Sequence, residues 1–211
     1  MPDDLRFKRA TFRALHKQGC FVLPNPWDVG GIRRLEKLGF KALASTSAGA
    51  AWALGRNDGE LSLDEVLEHL RLLCAVTNLP VNADFEAAFA DEPEGVATNV
   101  ALALDTGIAG LSIEDRTGRA LYEQALATVD RIKAAHEAIA RSGHDVVLVG
   151  RSEGYLIGQT ELAATIDRLV AYADAGARRV SVGGTLAAAA WAAFDRAVRF
   201  LIDEGTLPKR D

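Results

Sequence analysis

An α/β fold, with a parallel sheet covered by helices, is what this sequence predicts, and three observations carry the prediction. A helical pattern repeatedly ends in Gly and is followed within a few residues by a short apolar run, as in "EKLGFKALAS", "LDTGIAGLSIED", "ARSGHDVVLVGR" and "ADAGARRVSVGG". The runs have no consistent polar face, which is the pattern of strands buried on both sides. Amphipathic helical stretches lie between them, and strands alternating with helices give a parallel sheet with helical layers.

The elements follow in order. "HKQG" leads into "CFVLP", a first predicted strand, after which come Asn25 and Asp28. Asp28 is placed to cap the helix carrying Ile32 and Leu35. Gly39 closes that helix before a second strand, "KALAS", which ends in Ser45, Thr46 and Ser47. Asn57, Asp58 and Gly59 make a turn signal. Ser62 with Glu65 forms a capping box, and Leu63, Val66, Leu67, Leu70 and Cys74 make one apolar stripe. Asn78 stands where Gly closes the other helices, ahead of the third strand, "LPVNAD". The fourth strand ends at Glu114 and Asp115, and the fifth at Arg151 and Glu153. Leu162, Ile166, Leu169, Val170 and Ala173 form a second stripe before a sixth strand, "RRVSV". Gly19, Gly39, Gly107, Gly143 and Gly176 are expected to be left-handed helix caps.

Polar residues thus fall at the carboxyl ends of the strands. A parallel α/β barrel gathers such ends at one mouth, and a doubly wound sheet gathers them at one crevice. No G-x-G-x-x-G follows the first strand, which weakens a dinucleotide reading.

Composition narrows the function classes. With 211 residues and 49% hydrophobic content, the chain is expected to form a single domain spanning residues 1–211. A net charge of −5 and a pI near 5.4 leave no basic footprint for nucleic acid. Cys20 and Cys74 sit in apolar runs without C-x-x-C spacing, so buried free thiols in a reducing cytoplasm are expected. No apolar run nears the roughly 20 residues that span a bilayer, and the N-terminal stretch lacks a signal-peptide core, so neither a membrane nor export is expected.

The carboxylates raise a chemical question. Asp84 and Glu86 lie two residues apart, and with Glu114 they would crowd three negative charges into one partly desolvated place. A hard divalent ion resolves that, and oxygen ligands without His or Cys favour Mg²⁺ or Mn²⁺. Ion pairing of Glu114 or Asp115 with Arg116, and a loop role for Glu86, account for the same residues.

Six ordered pieces, "NPWD", "ASTSAGAAWALGRNDGE", "LPVNADFE", "AGLSIEDRTG", "VGRSEGYLIG" and "AYADAGA", together resemble the phosphoenolpyruvate mutase and isocitrate lyase superfamily. The resemblance implies a (β/α)8 TIM-barrel-like fold that binds Mg²⁺ (or Mn²⁺) and an α-keto acid or phosphonate. It further implies lyase, hydrolase or phosphonomutase chemistry, making or breaking a C–C or P–C bond next to a carbonyl. By the same resemblance Asp84 would be the main protein ligand of the metal, with Glu86, Asp58 and Glu114 holding its waters. Thr46, Ser47 and Ala48 would hold the substrate's carboxylate and keto oxygens, and Arg151 would clamp a carboxylate or stabilise enolate charge. Trp27 would wall the pocket. Among these, Arg151, Thr46 and Glu114 are the candidate catalytic groups. The histidines His16, His69, His136 and His144 fall away from the inferred mouth.

The chain also departs from the family pattern. "EDRTGRALYEQ" has neither the cysteine nor the lysine of the family's mobile loop, leaving Arg116, Arg119 or Tyr122 as substitutes for its general acid. "AAFA" replaces the glycine-rich turn after the acidic pair. Six strands are readable where a closed barrel needs eight, and units six and seven have no counterpart, so the barrel is expected to be shortened. A noncatalytic metabolite-binding or assembly remnant is therefore the competing expectation. The helix from Thr185 to Gly205 carries Trp191 and Phe194 on a wide apolar stripe, and a homo-oligomer, dimer or tetramer, is expected to form through it.

Overall fold

The computed structural model of the chain describes residues 2–117, 120–121, 125–159 and 161–183. The helix expected between Thr185 and Gly205, and with it the oligomer surface, lies outside the described residues, as do Arg119 and Tyr122.

Five parallel strands form one sheet: β1 (Leu43–Ala44), β2 (Val81–Asp84), β3 (Gly110–Glu114), β6 (Val147–Ser152) and β7 (Arg179–Val182), in the order β1-β2-β3-β6-β7. An antiparallel ribbon of β4 (Arg116–Thr117) and β5 (Ala120–Leu121) follows β3 directly. The helices are α1 (Pro2–Leu15), α2 (Val29–Lys37), α3 (Ser47–Ala53), α4 (Leu63–Ala75), α5 (Pro93–Leu104), α6 (Ala125–Ser142) and α7 (Leu162–Asp174). All five strands contribute to the wall of one cavity, so the sheet curves around it as part of a barrel. β7 bonds directly to β6, and no other strand comes between them.

Local chemistry explains most elements. Asp28 caps α2 by accepting from the Gly31 N–H, and Ser62 and Glu65 close a reciprocal capping box on α4. Gly19, Gly39, Gly107, Gly143 and Gly176 all adopt positive φ, between 68° and 105°. Asn78 does not; just beyond α4 the Thr77 hydroxyl accepts the Leu79 N–H at 3.1 Å.

The first expected strand does not form. Residues 20–24 make one ladder-like bond to β1, from the Ala44 N–H to the Pro24 carbonyl at 2.9 Å. Pro24 and Pro26 lack N–H donors, so no ladder propagates along that edge. Cys20 accordingly is exposed, whereas Cys74 is buried as expected. On α7 the fully buried line runs through Thr165, Leu169 and Tyr172, and Leu162, Ile166, Val170 and Ala173 are only partly buried. The displacement follows from Tyr172, whose hydroxyl reaches inward to Asp115 at 2.7 Å.

The larger core lies between the sheet and α4 to α7, with Leu70, Val100, Leu111, Ile113, Ile132 and Leu148 fully or nearly fully buried. A second cluster joins Phe12 of α1 to Ala42, Ala109 and Val147, just before or at the start of three strands. α1 therefore closes the amino-terminal end of the curved sheet. Gly110 makes this possible: a Cβ there would stand 2.5 Å from Phe12 Cε1 and 2.6 Å from Asn82 Oδ1.

Candidate active site at the carboxyl ends of the strands

The register decides which side chains meet. Asp84 pairs with Ser112, Ser112 with Val149 and Val149 with Arg179, while Glu114 pairs with Arg151 and Arg151 with Ser181. Residues two apart share a face, so Asp84, Glu114 and Arg151 turn to the concave side on three adjacent strands. Asp84 and Arg151 border a cavity of about 500 Å³, and Glu114 stands behind them against Arg151.

Arg151 is the hub. Its Nη1 lies 3.4 Å from Asp84 Oδ1 and 3.5 Å from Glu114 Oε1, and its Nε donates to Glu153 Oε1. Burial works against the guanidinium charge, but Asp84, Glu114 and Glu153 outweigh it and raise the pKa above its ordinary value. The Glu114 pKa is also raised, to about 9, by burial first and then by Asp84 and Glu153, with Arg151 only partly offsetting them.

The other oxygen of Asp84 faces α3. Asp84 Oδ2 accepts both the Ser47 N–H and the Ser47 hydroxyl at 3.1 Å. Thr46 caps α3, its hydroxyl accepting the Gly49 N–H at 3.2 Å, and it also lines the cavity. Ala48 follows in the first turn of the same helix. Trp27 is 51% exposed and packs beside Gly49, outside the cavity wall.

Glu86 and Asp58 complete the acidic group. Glu86 sits at φ 46°, with Ala88 and Phe89 also left-handed, so the segment that replaces a glycine-rich turn adopts glycine-like backbone without glycine. Its carbonyl accepts the Glu114 N–H at 2.8 Å, fixing it beside the end of β3. Burial, then Asp58 and Asp84, raise the Glu86 pKa to about 7, and its buried Oε1 has no hydrogen-bond partner. Asp58 accepts the Ser47 hydroxyl at 3.3 Å and pairs with Arg116 at 3.1 Å. Arg116 thus joins Asp58 rather than Glu114 or Asp115. Asp115 is wholly buried and structural: it accepts the Glu153 N–H at 2.8 Å and bonds Tyr172 and Arg168.

Asp84, Glu86, Asp58 and Glu114 are thus neighbours, linked through Ser47, Arg151 and their mutual repulsion. Among the described residues no three His, Cys, Asp or Glu side chains converge closely enough to ligate one ion directly. The donor chemistry fits a hard cation held by one carboxylate and by waters on the others: all donors are oxygen, and a buried carboxylate oxygen is unsatisfied.

Asn82, Ser112, Arg179 and Ser181 also line the cavity, and His16 reaches its deep end beside Phe12. The signal for the first two was the period of 2, with a polar residue two positions before each strand-ending acid. For His16 there was none, because its placement depends on α1 crossing the end of the sheet.

A curved parallel sheet with charged residues gathered at its carboxyl ends defines an α/β protein of the barrel-like class. The model of the family described as phosphoenolpyruvate phosphomutase matches residues 12–202, and the chain belongs to that family. Among curated relatives it is 33% identical over 174 residues to the uncharacterized protein Rv1998c of Mycobacterium tuberculosis strain H37Rv, covering 82% of this chain and 64% of that protein. It is 31% identical over 180 residues to the 2-methylisocitrate lyase of Escherichia coli K12, covering 80% of this chain and 59% of that enzyme. The chain thus spans less than two thirds of the length of these relatives. Among solved structures, a protein of Burkholderia cenocepacia J2315 provisionally described as a lyase/mutase superposes with a TM-score of 0.89 at 44% identity, over 93% of this chain and 72% of that one. An oxaloacetate acetylhydrolase bound to its product oxalate superposes with a TM-score of 0.82 at 26% identity, over 90% of this chain and 68% of that one.

Proposed function

We propose that the chain is a Mg²⁺-dependent enzyme that cleaves or forms a C–C or P–C bond next to the carbonyl of a small α-keto acid or phosphonate. The observation that carries this reading is Arg151 held between Asp84 and Glu114 at the mouth of the cavity, with Glu86 and Asp58 beside them. Asp84 would hold the ion directly, and Glu86, Asp58 and Glu114 its waters. When bound, the ion would supply Lewis acidity to the substrate's keto oxygen. Arg151 offers fixed donors to negative charge that develops as the electron pair of the breaking bond moves into an enolate. Glu114, whose carboxyl burial holds above its ordinary value, is placed to pass a proton to that enolate or to a substrate oxygen. Thr46 and Ser47 orient the carboxylate end of the substrate. A homo-oligomer in the cytoplasm belongs to the same reading.

Calorimetric titration with Mg²⁺ or Mn²⁺ tests the metal: Asp84→Ala is expected to abolish binding, and binding equal to the parent's would remove this reading. Oxaloacetate, 2-methylisocitrate, dimethylmalate and phosphonopyruvate, screened with Mg²⁺ for release of pyruvate or glyoxylate, test the reaction. A second reading, a noncatalytic binder of such metabolites, is favoured by one observation: residues 115–125 contain neither lysine nor cysteine. It stands if oxalate binds and none of these substrates turns over.

A further inference from the structure

Given Arg151 as the donor to developing charge, a role that rests on the function proposed for the cavity, we propose that Glu153 is its positioning residue: it fixes the plane of the guanidinium so that the Nη donors face the reaction. Glu153 is wholly buried and does not line the cavity, so it cannot touch a substrate there. Its Oε1 accepts the Arg151 Nε–H, the shortest of the three contacts that Arg151 makes with a carboxylate. Its Oε2 is buried without a hydrogen-bond partner. Among the described residues Arg151 is thus the one hydrogen-bond partner of this side chain. Burying a carboxylate is costly, and packing alone would be served better by an apolar residue. The bond to Arg151 is therefore what the buried charge is for.

Glu153 is itself held in place. Its N–H donates to Asp115 Oδ1 at 2.8 Å, and Asp115 accepts the buried Tyr172 hydroxyl at 2.7 Å, which ties the end of β6 to α7. The Glu153 carbonyl accepts the Leu156 N–H at 2.9 Å. Gly183, just beyond β7, stands against the same carboxylate. Its N–H donates to the Ser152 carbonyl at 2.8 Å, and a Cβ there would lie 1.9 Å from Glu153 Oε1, so only glycine leaves the carboxylate where it is. Arginine has a long side chain with many rotamers, and its fork suits a close two-point pair with a carboxylate. Released at Nε, the guanidinium would close on Asp84 or Glu114, which lie 3.4 and 3.5 Å from Nη1. Its donors would then be committed to the protein instead of to charge developing on a substrate.

Two measurements on the full chain test this, and one of them needs no turnover. In a nitrogen–proton correlation spectrum the Arg151 Nε–H is the arginine signal missing from Arg151→Lys. Its exchange with water is expected to be slow in the parent and in Glu153→Gln, whose amide oxygen accepts the same bond, and at least about tenfold faster in Glu153→Ala. Should Glu153→Ala not fold, Gly183→Ala displaces the same carboxylate and is expected to speed the exchange alike. On a substrate found by the screen, Glu153→Ala is expected to lower kcat about a hundredfold with KM within about threefold, and Glu153→Gln to recover most of the loss. In the Arg151→Lys background Glu153→Ala is expected to cost less than about twofold, because the bond it removes is already gone. The proposal is overturned if exchange is as slow in Glu153→Ala as in the parent, if Glu153→Gln is as impaired as Glu153→Ala, or if Glu153→Ala costs as much beside Lys as beside Arg. Absence of any turnover removes the reaction proposed for the cavity, while the exchange rates still decide whether Glu153 fixes Arg151.

Discussion

Replacing Glu86 by Gln is the perturbation that most directly probes the acidic group. The carboxyl is raised from its ordinary 4.5 to about 7 by burial and by Asp58 and Asp84. In the unfolded chain it ionises near 4.5. Between pH 4.5 and 7 the folded metal-free protein therefore holds the proton more tightly, and its stability falls as pH rises, by up to about 1.4 kcal/mol for each pH unit. Across that window the loss reaches about 3 kcal/mol, and above pH 7 it is complete. Gln cannot ionise and escapes the loss. The variant is expected to match the parent near pH 4.5 and to exceed it by about 3 kcal/mol at pH 8 in the presence of a chelator. Urea denaturation from pH 4.5 to 9 measures this directly. Glu114, raised to about 9, contributes its own decline from about pH 4.5 to 9 in both proteins and cancels from the comparison. Parallel stability curves for parent and variant would refute the reasoning. Adding Mg²⁺ at pH 8 is expected to stabilise the parent more than the variant.

Two further outcomes are expected. Arg151→Lys keeps the charge but loses the fork that spans Asp84, Glu114 and Glu153, and kcat/KM is expected to fall by about a hundredfold or more; unchanged turnover on a substrate found by the screen would remove Arg151 from the reaction. Ala88→Gly is expected to stay within about 0.5 kcal/mol of the parent although Ala88 is fully buried, because relief of its left-handed backbone, about 1–2 kcal/mol, offsets the lost methyl burial and the added chain entropy. A loss of several kcal/mol on chemical denaturation would show that the backbone at this turn is not strained.

Where a local rule decides the outcome, the sequence was legible. Glycine at helix ends, Asp28 before α2 and Ser62 with Glu65 act through contacts a few residues long, and each forms as read. The strand-ending acids were legible for a related reason, since a polar residue closing an apolar run has one place to go. What escaped depends on contacts distant in sequence. The edge segment 20–24 fails as a strand because Pro24, and Pro26 just beyond it, lack N–H donors. Asp58 reads as a turn residue and is one, yet its turn also brings it to Ser47 and Arg116. Arg179, Ser181 and His16 reach the cavity only because β7 docks on β6 and α1 crosses the far end of the sheet. No window of sequence contains those partners together.

The seating of α1 bears on how the chain acquires its structure as it is made. Each parallel strand pairs with a strand already synthesised, so the sheet can grow in the order in which it leaves the ribosome. The first helix cannot settle on that schedule. Arg9 donates to the carbonyls of Leu104 and Ile108, Phe12 packs on Val147, and the carbonyl of His16 waits for Arg179, 163 residues later. This helix emerges before every one of these partners and is among the last elements to find them all, so part of its apolar face stays uncovered until β6 and β7 are made. Chains released before β7 is made lack the clasp between His16 and Arg179, so translation pauses after about residue 150 are where nascent-chain aggregation or chaperone engagement should concentrate.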